Sequence, residues 1–207
     1  MGDSHTEEKY TVFKRFNIGI DVDGVLCNFL KGARETWKPL LGGRPDDSLT
    51  QTGWDFDGLG ISKEEKTLLW KTIDATPDWW RALEVLPETD FLPVLTMEHR
   101  CIFITNRKDG EGDPIEVQTQ KWLIQNFNIE NPVVIISDKK GPIADGLKLD
   151  FFIDDRPKNV EEVVLSAPAC ETYLYHTTYN LDCQVGRMYG FDMFAKYVLR
   201  KGVENGE

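Results

Sequence analysis

The chain has only four cysteines, and no two of them stand in C-x-x-C spacing: Cys27, Cys101, Cys170 and Cys183 are scattered along 207 residues. That weakens a zinc-site reading, which needs closely paired thiolates. His99 and His176 have no partner pattern and receive no role. Positive charge is also in short supply. Lys and Arg number 24 against 35 Asp and Glu, a net charge of −11, which argues against a general nucleic-acid binder with a basic face. A local basic pocket for a small anion is still compatible with that total. No secretory leader and no 18-residue apolar run is present, so a reduced, cytoplasmic protein with no membrane partner is expected. Residues 1–14 read as a flexible polar lead-in. Met1–Thr6 formally fits a myristoylation pattern, but no polybasic stretch follows it.

What is present is enough for a packed core, since 41% of the residues are hydrophobic. The length suits one domain, or one domain carrying a smaller insert. Apolar runs that read as buried strands recur at 17–22, 101–105, 133–137, 151–153 and 172–175. Helix-like segments lie between them at 114–127, 141–147 and 157–165, each with proline near its start, and a closing helix is expected over 191–201. This alternation predicts an α/β fold: a Rossmann-like, mainly parallel sheet flanked by helices. One gap breaks the rhythm. Asp21 and Thr105 are 84 residues apart, whereas a βαβ unit takes about 30 residues. The surplus lies over 29–88 and contains Trp37, Trp54, Trp70, Trp79 and Trp80, five of the six tryptophans. It reads as a small helical cap inserted after the first strand. The core then comprises 15–28 and 89–207. Most aromatics in such an insert build its own small core.

Four strand ends carry the chemistry. Asp21-Val22-Asp23-Gly24 follows Ile18-Gly19-Ile20, so two carboxylates sit where a buried strand ends and Gly24 lets the chain turn away. Asp21 can serve as nucleophile and Asp23 as acid and base. A calcium loop fails, because position 5 is Val25 and position 12 is Gly32. Thr105-Asn106-Arg107 closes the second apolar run; its hydroxyl and guanidinium suit phosphoryl oxygens. Lys139 and Lys140 stand between a strand and the Gly141-Pro142 helix start. Asp154-Asp155 caps Phe151-Phe152-Ile153, and two adjacent carboxylates repel unless a cation sits with them. The alternative for Asp155 is helix N-capping.

In this order the motifs resemble the haloacid-dehalogenase-like phosphohydrolases. The segments DVDGVLCNF, TPDWWRALEVLP, TQKWLIQNF, SDKK and FFIDDRP narrow the resemblance to the 5'(3')-deoxyribonucleotidases. The resemblance implies Mg²⁺ held by Asp21, the Asp23 backbone, Asp154 and Asp155, and an aspartyl-phosphate formed on Asp21. It implies charge stabilisation by Thr105 and by Lys139 or Lys140, the alignment leaving the choice open. It also implies aromatic contacts to a base, with Phe29 at the first such position and Trp54 and Phe56 as further candidates. Asn106 and Arg107 join the substrate-binding set. Asp23 must carry a proton when substrate binds, and a dry, capped site is expected to raise its pKa. The expected partner is a small nucleotide rather than a long nucleic acid, and the chain a monomer or homodimer. A second resemblance runs from Thr105-Asn106-Arg107-Lys108 to the 3'-phosphatase domain of phage-type polynucleotide kinases. A non-catalytic nucleotide or phosphate sensor is the third class.

Overall fold

The computed structural model describes residues 13–183 and 185–204. Through residue 12, the expected lead-in and the myristoylation pattern within it lie outside the described residues. Among the described residues there are six strands: β1 (Asn17–Ile20), β2 (Arg100–Thr105), β3 (Val133–Ile136), β4 (Phe151–Asp154), β5 (Glu171–Tyr175) and β6 (Arg187–Met188). They form one sheet in the order β3-β2-β1-β4-β5-β6, and every neighbouring pair is parallel. Ile18 of β1 lies opposite Cys101 on one side and Phe151 on the other. The chain winds outward from β1 to β3, then crosses back to begin again at β4. In open α/β sheets the crevice at such a reversal, outside the carboxyl ends of the strands, is where ligands bind.

The helices are α1 (Phe29–Leu40), α2 (Lys63–Asp74), α3 (Leu92–Glu98), α4 (Ile115–Phe127), α5 (Lys140–Leu147), α6 (Pro157–Ser166) and α7 (Phe191–Glu204), with a 3-10 turn at Trp79–Ala82. Side chains alternate across a strand, and the sheet uses both faces. Ile102, Ile104 and Phe152 pack with Ala144 of α5 and Val163 of α6. Ile18, Ile20, Phe103 and Phe151 join Trp122 of α4 and Phe194 of α7 on the other. Gly19 points into the first of these layers. A Cβ there would lie 2.5 Å from Leu149 and 2.8 Å from Phe152, so glycine lets α5 and its neighbours sit close to the sheet. Two elements were not expected from the sequence. α3 has seven residues with proline in its first turn, and β6 has two. Neither is long enough to show a period.

The long segment between β1 and β2 holds α1, α2 and the 3-10 turn. Asn28 caps α1 by accepting from Lys31 N at 3.0 Å. Ser62 and Glu65 form a reciprocal capping box on α2, at 3.2 and 2.8 Å. The two ends of the segment meet: Asn28 N donates to Glu84 O and Leu86 N to Leu26 O, both at 2.8 Å, around an antiparallel Cys27–Val85 bridge. Its tryptophans divide. Phe29 has Trp70, Trp79 and Trp80 at 5.9, 5.9 and 5.8 Å between ring centroids, and Trp37 meets Phe56 edge-on at 4.8 Å. Trp54 stands apart at 48% exposure. The buried apolar cluster runs without a break from the sheet through Trp37, Leu69 and Ile73 of these helices. No described helix is long and apolar enough to cross a membrane.

Trp122 ties α4 to the returning end of that segment, its fully buried indole donating to Leu83 O at 2.7 Å. Trp122→Phe removes the bond and strands a buried carbonyl, a loss of about 1–3 kcal/mol. Urea unfolding should show it as a lower midpoint at unchanged m-value; an unchanged midpoint would contradict this account.

Candidate active site

Asp21 follows β1 directly, and its amide extends the ladder by donating to Ile153 O at 3.0 Å. The chain then folds back sharply. Leu26 N and Cys27 N both donate to Val22 O at 2.9 Å. Gly24 sits at φ +83°, where a side chain would also collide with the Asp155 carboxylate. The turn thereby presents Asp21 and Asp23 at the crevice while their neighbours Val22 and Val25 stay buried.

The two lysines separate cleanly. Lys140 opens α5, is 1% exposed, and donates to Asp21 Oδ1 and to Asp154 Oδ2, the latter at 2.5 Å. The Lys139 side chain is 70% exposed, with Asp138 at 3.9 Å as its ion-pair partner. Lys139 is the N-cap with non-helical backbone (φ −106°, ψ 72°) and Lys140 the first helical residue, so the two side chains leave the chain in different directions. Both carboxylates hold the Lys140 ammonium charged, pushing its pKa up despite burial.

Asp154 is fully buried and well supplied with donors. Arg156 N reaches Oδ1 at 2.8 Å, and the Asn159 amide reaches both oxygens at 3.1 Å. Asp155 takes the Tyr179 hydroxyl on Oδ2. It does not cap α6, whose N-cap is Arg156 with no side-chain cap bond. One oxygen each from Asp21, Asp154 and Asp155 lies within 4.8 Å of the others, and all three residues are buried. Such a hard, all-oxygen set suits a cation of the magnesium or calcium kind. The charges agree. Asp21, Asp23, Asp154 and Asp155 face the two buried cations Lys140 and Arg107, which leaves the site short of positive charge. Burial, then the neighbouring Asp154 charge, pushes Asp155 up to about 8, against the opposing Tyr179 and Lys140. Burial likewise raises Asp21, against Lys140.

Asp23 sits in a clamp. Thr105 Oγ1 donates to Oδ2 at 2.7 Å, Arg107 Nε to Oδ2 at 2.9 Å, an Arg107 terminal nitrogen to Oδ1 at 2.8 Å and the Cys27 thiol to Oδ1 at 3.1 Å. Arg107 also donates to Thr119 Oγ1 at 3.0 Å and lies 4.8 Å over the Trp80 ring. Burial opposes ionisation of Asp23, but the Arg107 charge and these bonds outweigh it and hold its pKa below the usual range. The expected upward shift is therefore reversed. A dry site was anticipated, but not a guanidinium inside it. Arg107, placed in the substrate-binding set from sequence, spends its donors on protein groups and is 3% exposed. Asn106 beside it is exposed.

Among the aromatic candidates, Phe29 and Phe56 pack within the inserted segment, with Phe56 buried at φ +62°. Trp54 instead lies under the Arg156 guanidinium, 3.7 Å from its ring centroid, one residue from the acidic pair. Asp55 pairs with Lys66 at 2.8 Å. Sequence reasoning missed Cys27, Thr119, Asn159, Tyr179 and Asn180. A signal existed for Asn159, since it falls in the first turn of the helix that the acidic pair precedes. Tyr179 and Asn180 lie past the end of a strand, in a polar turn without a motif of its own.

A family model described as 5' nucleotidase, deoxy (pyrimidine), cytosolic type C matches residues 15–186. No curated protein matches the chain. Solved structures share its fold. A haloacid dehalogenase-like hydrolase from Streptococcus pneumoniae is 13% identical with a TM-score of 0.56, covering 88% of this chain and 98% of its own. A predicted phosphoglycolate phosphatase from Haemophilus somnus is 12% identical with a TM-score of 0.55, covering 89% and 98%. A defluorinating L-2-haloacid dehalogenase is 14% identical with a TM-score of 0.55, covering 90% and 96%. At these identities the likeness concerns the fold alone.

The raised Asp155 pKa has a measurable sign. Without a cation, its proton is retained up to about pH 8, whereas in the unfolded chain it leaves near pH 4. On this account the cation-free protein loses stability as pH rises from about 4 to about 8. A divalent cation binds the ionised form and expels that proton. The gap between thermal midpoints with a divalent cation and with EDTA should widen from about pH 6 to about pH 8.5. A gap of constant size would remove Asp155 from the cation set.

Proposed function

The chain belongs to the 5' nucleotidase, deoxy (pyrimidine), cytosolic type C family, and from that premise we propose a Mg²⁺-dependent phosphomonoester hydrolase acting on (deoxy)nucleoside monophosphates through an aspartyl-phosphate. The observation that carries this reading is the meeting of four carboxylates with one buried lysine at the reversal point of the sheet. Asp21 is the nucleophile. Asp21, Asp154, Asp155 and the Asp23 backbone carbonyl would hold Mg²⁺, which would offset repulsion between the Asp21 carboxylate and an incoming phosphate.

The Asp21 carboxylate attacks phosphorus in line, the bond from phosphorus to the ribose oxygen breaks, and Asp23 delivers its proton to that oxygen. Asp23 then takes a proton from water. The water oxygen bonds to phosphorus as the Asp21–phosphorus bond breaks, and inorganic phosphate leaves. The clamped, ionised Asp23 matches the second of these steps. The first requires a proton, and the approach of a phosphate dianion raises the Asp23 pKa by placing a second negative charge beside it. Lys140, rather than Lys139, stabilises charge on the transferring group because its ammonium already lies on Asp21. Thr105 and Arg107 hold Asp23 in register. Residues 29–88 serve as the helical cap on a core of 15–28 and 89–207, with Phe29 and Phe56 stiffening it. Trp54 is the cap aromatic with the most ring left open to a base. The enzyme works in the cytoplasm on a small nucleotide.

Phosphate release from a panel of 5'- and 3'-(deoxy)nucleoside monophosphates, a 3'-phosphorylated oligonucleotide and sugar phosphates tests the reading. Release from mononucleotides is expected with Mg²⁺ and not with EDTA. Asp21→Asn should abolish it by at least about 10³-fold. Lys140→Met should lower it by about 10²- to 10³-fold, while Lys139→Met leaves it within about twofold, as befits a side chain outside the site. Release from the oligonucleotide alone would replace this reading with end repair. A full-rate Asp21→Asn would overturn the nucleophile assignment.

A further inference from the structure

The turn after β5 carries no part of the mechanism above, yet its bonds converge on the acidic pair. Asn180 is 3% exposed and works as a four-way staple. Its amide nitrogen donates to Asp155 O at 2.7 Å and to Tyr175 O at 2.8 Å, and its Oδ1 accepts from Thr177 N at 3.1 Å and from Arg187 at 3.0 Å. Arg187 reaches further, to the carbonyls of Asn180, Leu181 and Cys183 at 2.6, 2.8 and 2.9 Å. A surface turn held by so many bonds to one side chain is stiff. Its product is the placement of Tyr179, whose hydroxyl donates to Asp155 Oδ2.

That contact fills a need specific to Asp155. Asp154 draws bonds from Lys140, Asn159 and the Arg156 amide, whereas Tyr179 is the side-chain donor to the Asp155 carboxylate among the described residues. Gly24 crowds the same oxygen: a Cβ there would collide with Asp155 Oδ2 and stand 2.9 Å from Asp155 Cγ and 3.1 Å from the Tyr179 oxygen. The phenol and the bare backbone of Gly24 together confine Oδ2, which leaves the other oxygen, Oδ1, without a side-chain donor among the described residues.

We propose that Tyr179 is a positioning residue for the cation site: its hydroxyl fixes the Asp155 carboxylate in the orientation in which an oxygen joins those of Asp21 and Asp154. The inference rests on the cation site of the proposed function. A hydrogen bond that orients a ligating carboxylate typically changes metal affinity by about 10- to 100-fold when removed. Neighbouring Thr178 supplies the control. Its hydroxyl donates to Gln51 O at 2.7 Å, tying the same turn to the inserted segment without touching Asp155.

Titration calorimetry with MgCl₂ alone, on the full chain, tests this. Tyr179→Phe should weaken Mg²⁺ binding by about tenfold or more and raise the Mg²⁺ concentration for half-maximal phosphate release by the same factor. Saturating Mg²⁺ should then recover most of the rate. Thr178→Val should bind Mg²⁺ like the unsubstituted protein. Equal Mg²⁺ affinity in Tyr179→Phe and the unsubstituted protein would overturn the positioning role and leave the proposed function standing. Equal weakening in both variants would overturn it too, by assigning the effect to the turn as a whole. No Mg²⁺ binding to the unsubstituted protein would remove the cation site and this inference together.

Discussion

Three buried carboxylates and a fourth that is half-buried, beside two buried cations, form an arrangement that no fold adopts without compensation. Like charges at such range repel strongly once solvent is excluded, and every element around the site answers that repulsion. Lys140 stands between Asp21 and Asp154. Arg107 and Thr105 take Asp23. Asn159, the Arg156 amide and Tyr179 supply donors to the remaining pair. The parallel sheet makes the convergence possible, because strands running in one direction bring their carboxyl ends to one edge. The residual negative charge is the feature that suits this edge to the divalent cation proposed for it.

The inserted segment is coupled to this electrostatic centre through stacked rings rather than through ions. Phe29 lies 5.8 Å from Trp80, Trp80 lies beneath Arg107 at 4.8 Å, and Arg107 grips Asp23. A cation over an aromatic face is stabilised by the ring quadrupole, more so when both are dry. The tryptophans of the segment mainly build its own core, as most aromatics in an insert do, and Trp80 also walls in the guanidinium beside Asp23. Trp54 is the exception, and its partner Arg156 adjoins the acidic pair.

The architecture and the acidic motifs were legible because they depend on short-range pattern. Apolar runs ended by charged residues mark strand ends, and proline marks helix starts, so the sheet, α4, α5 and α6 follow from the sequence within a residue or two. The surplus between Asp21 and Thr105 revealed the insert by length alone. What stayed hidden depends on three-dimensional neighbours. The choice between Lys139 and Lys140 turns on helix phase at a boundary, which pattern leaves ambiguous by one residue. The low pKa of Asp23 turns on a residue 84 positions away. Tyr179 and Asn180 act from a turn whose composition resembles any polar loop. The short elements α3 and β6 carry too few residues for periodicity to register.

The paired hydrogen bonds between Asn28 and Glu84 and between Leu86 and Leu26 have an evolutionary consequence. They bring the two ends of the insert together at an isolated bridge beyond β1, so the intervening chain is a loop whose closure is already secured. Closure entropy grows only logarithmically with length, by about 0.6 kcal/mol per doubling. Length added at the exposed turns of this segment therefore costs the fold little, whereas Trp80 and Leu83, which touch Arg107 and Trp122, are held in place by the core. The segment thus has one part bound to the strand ends and another that is free to change in length.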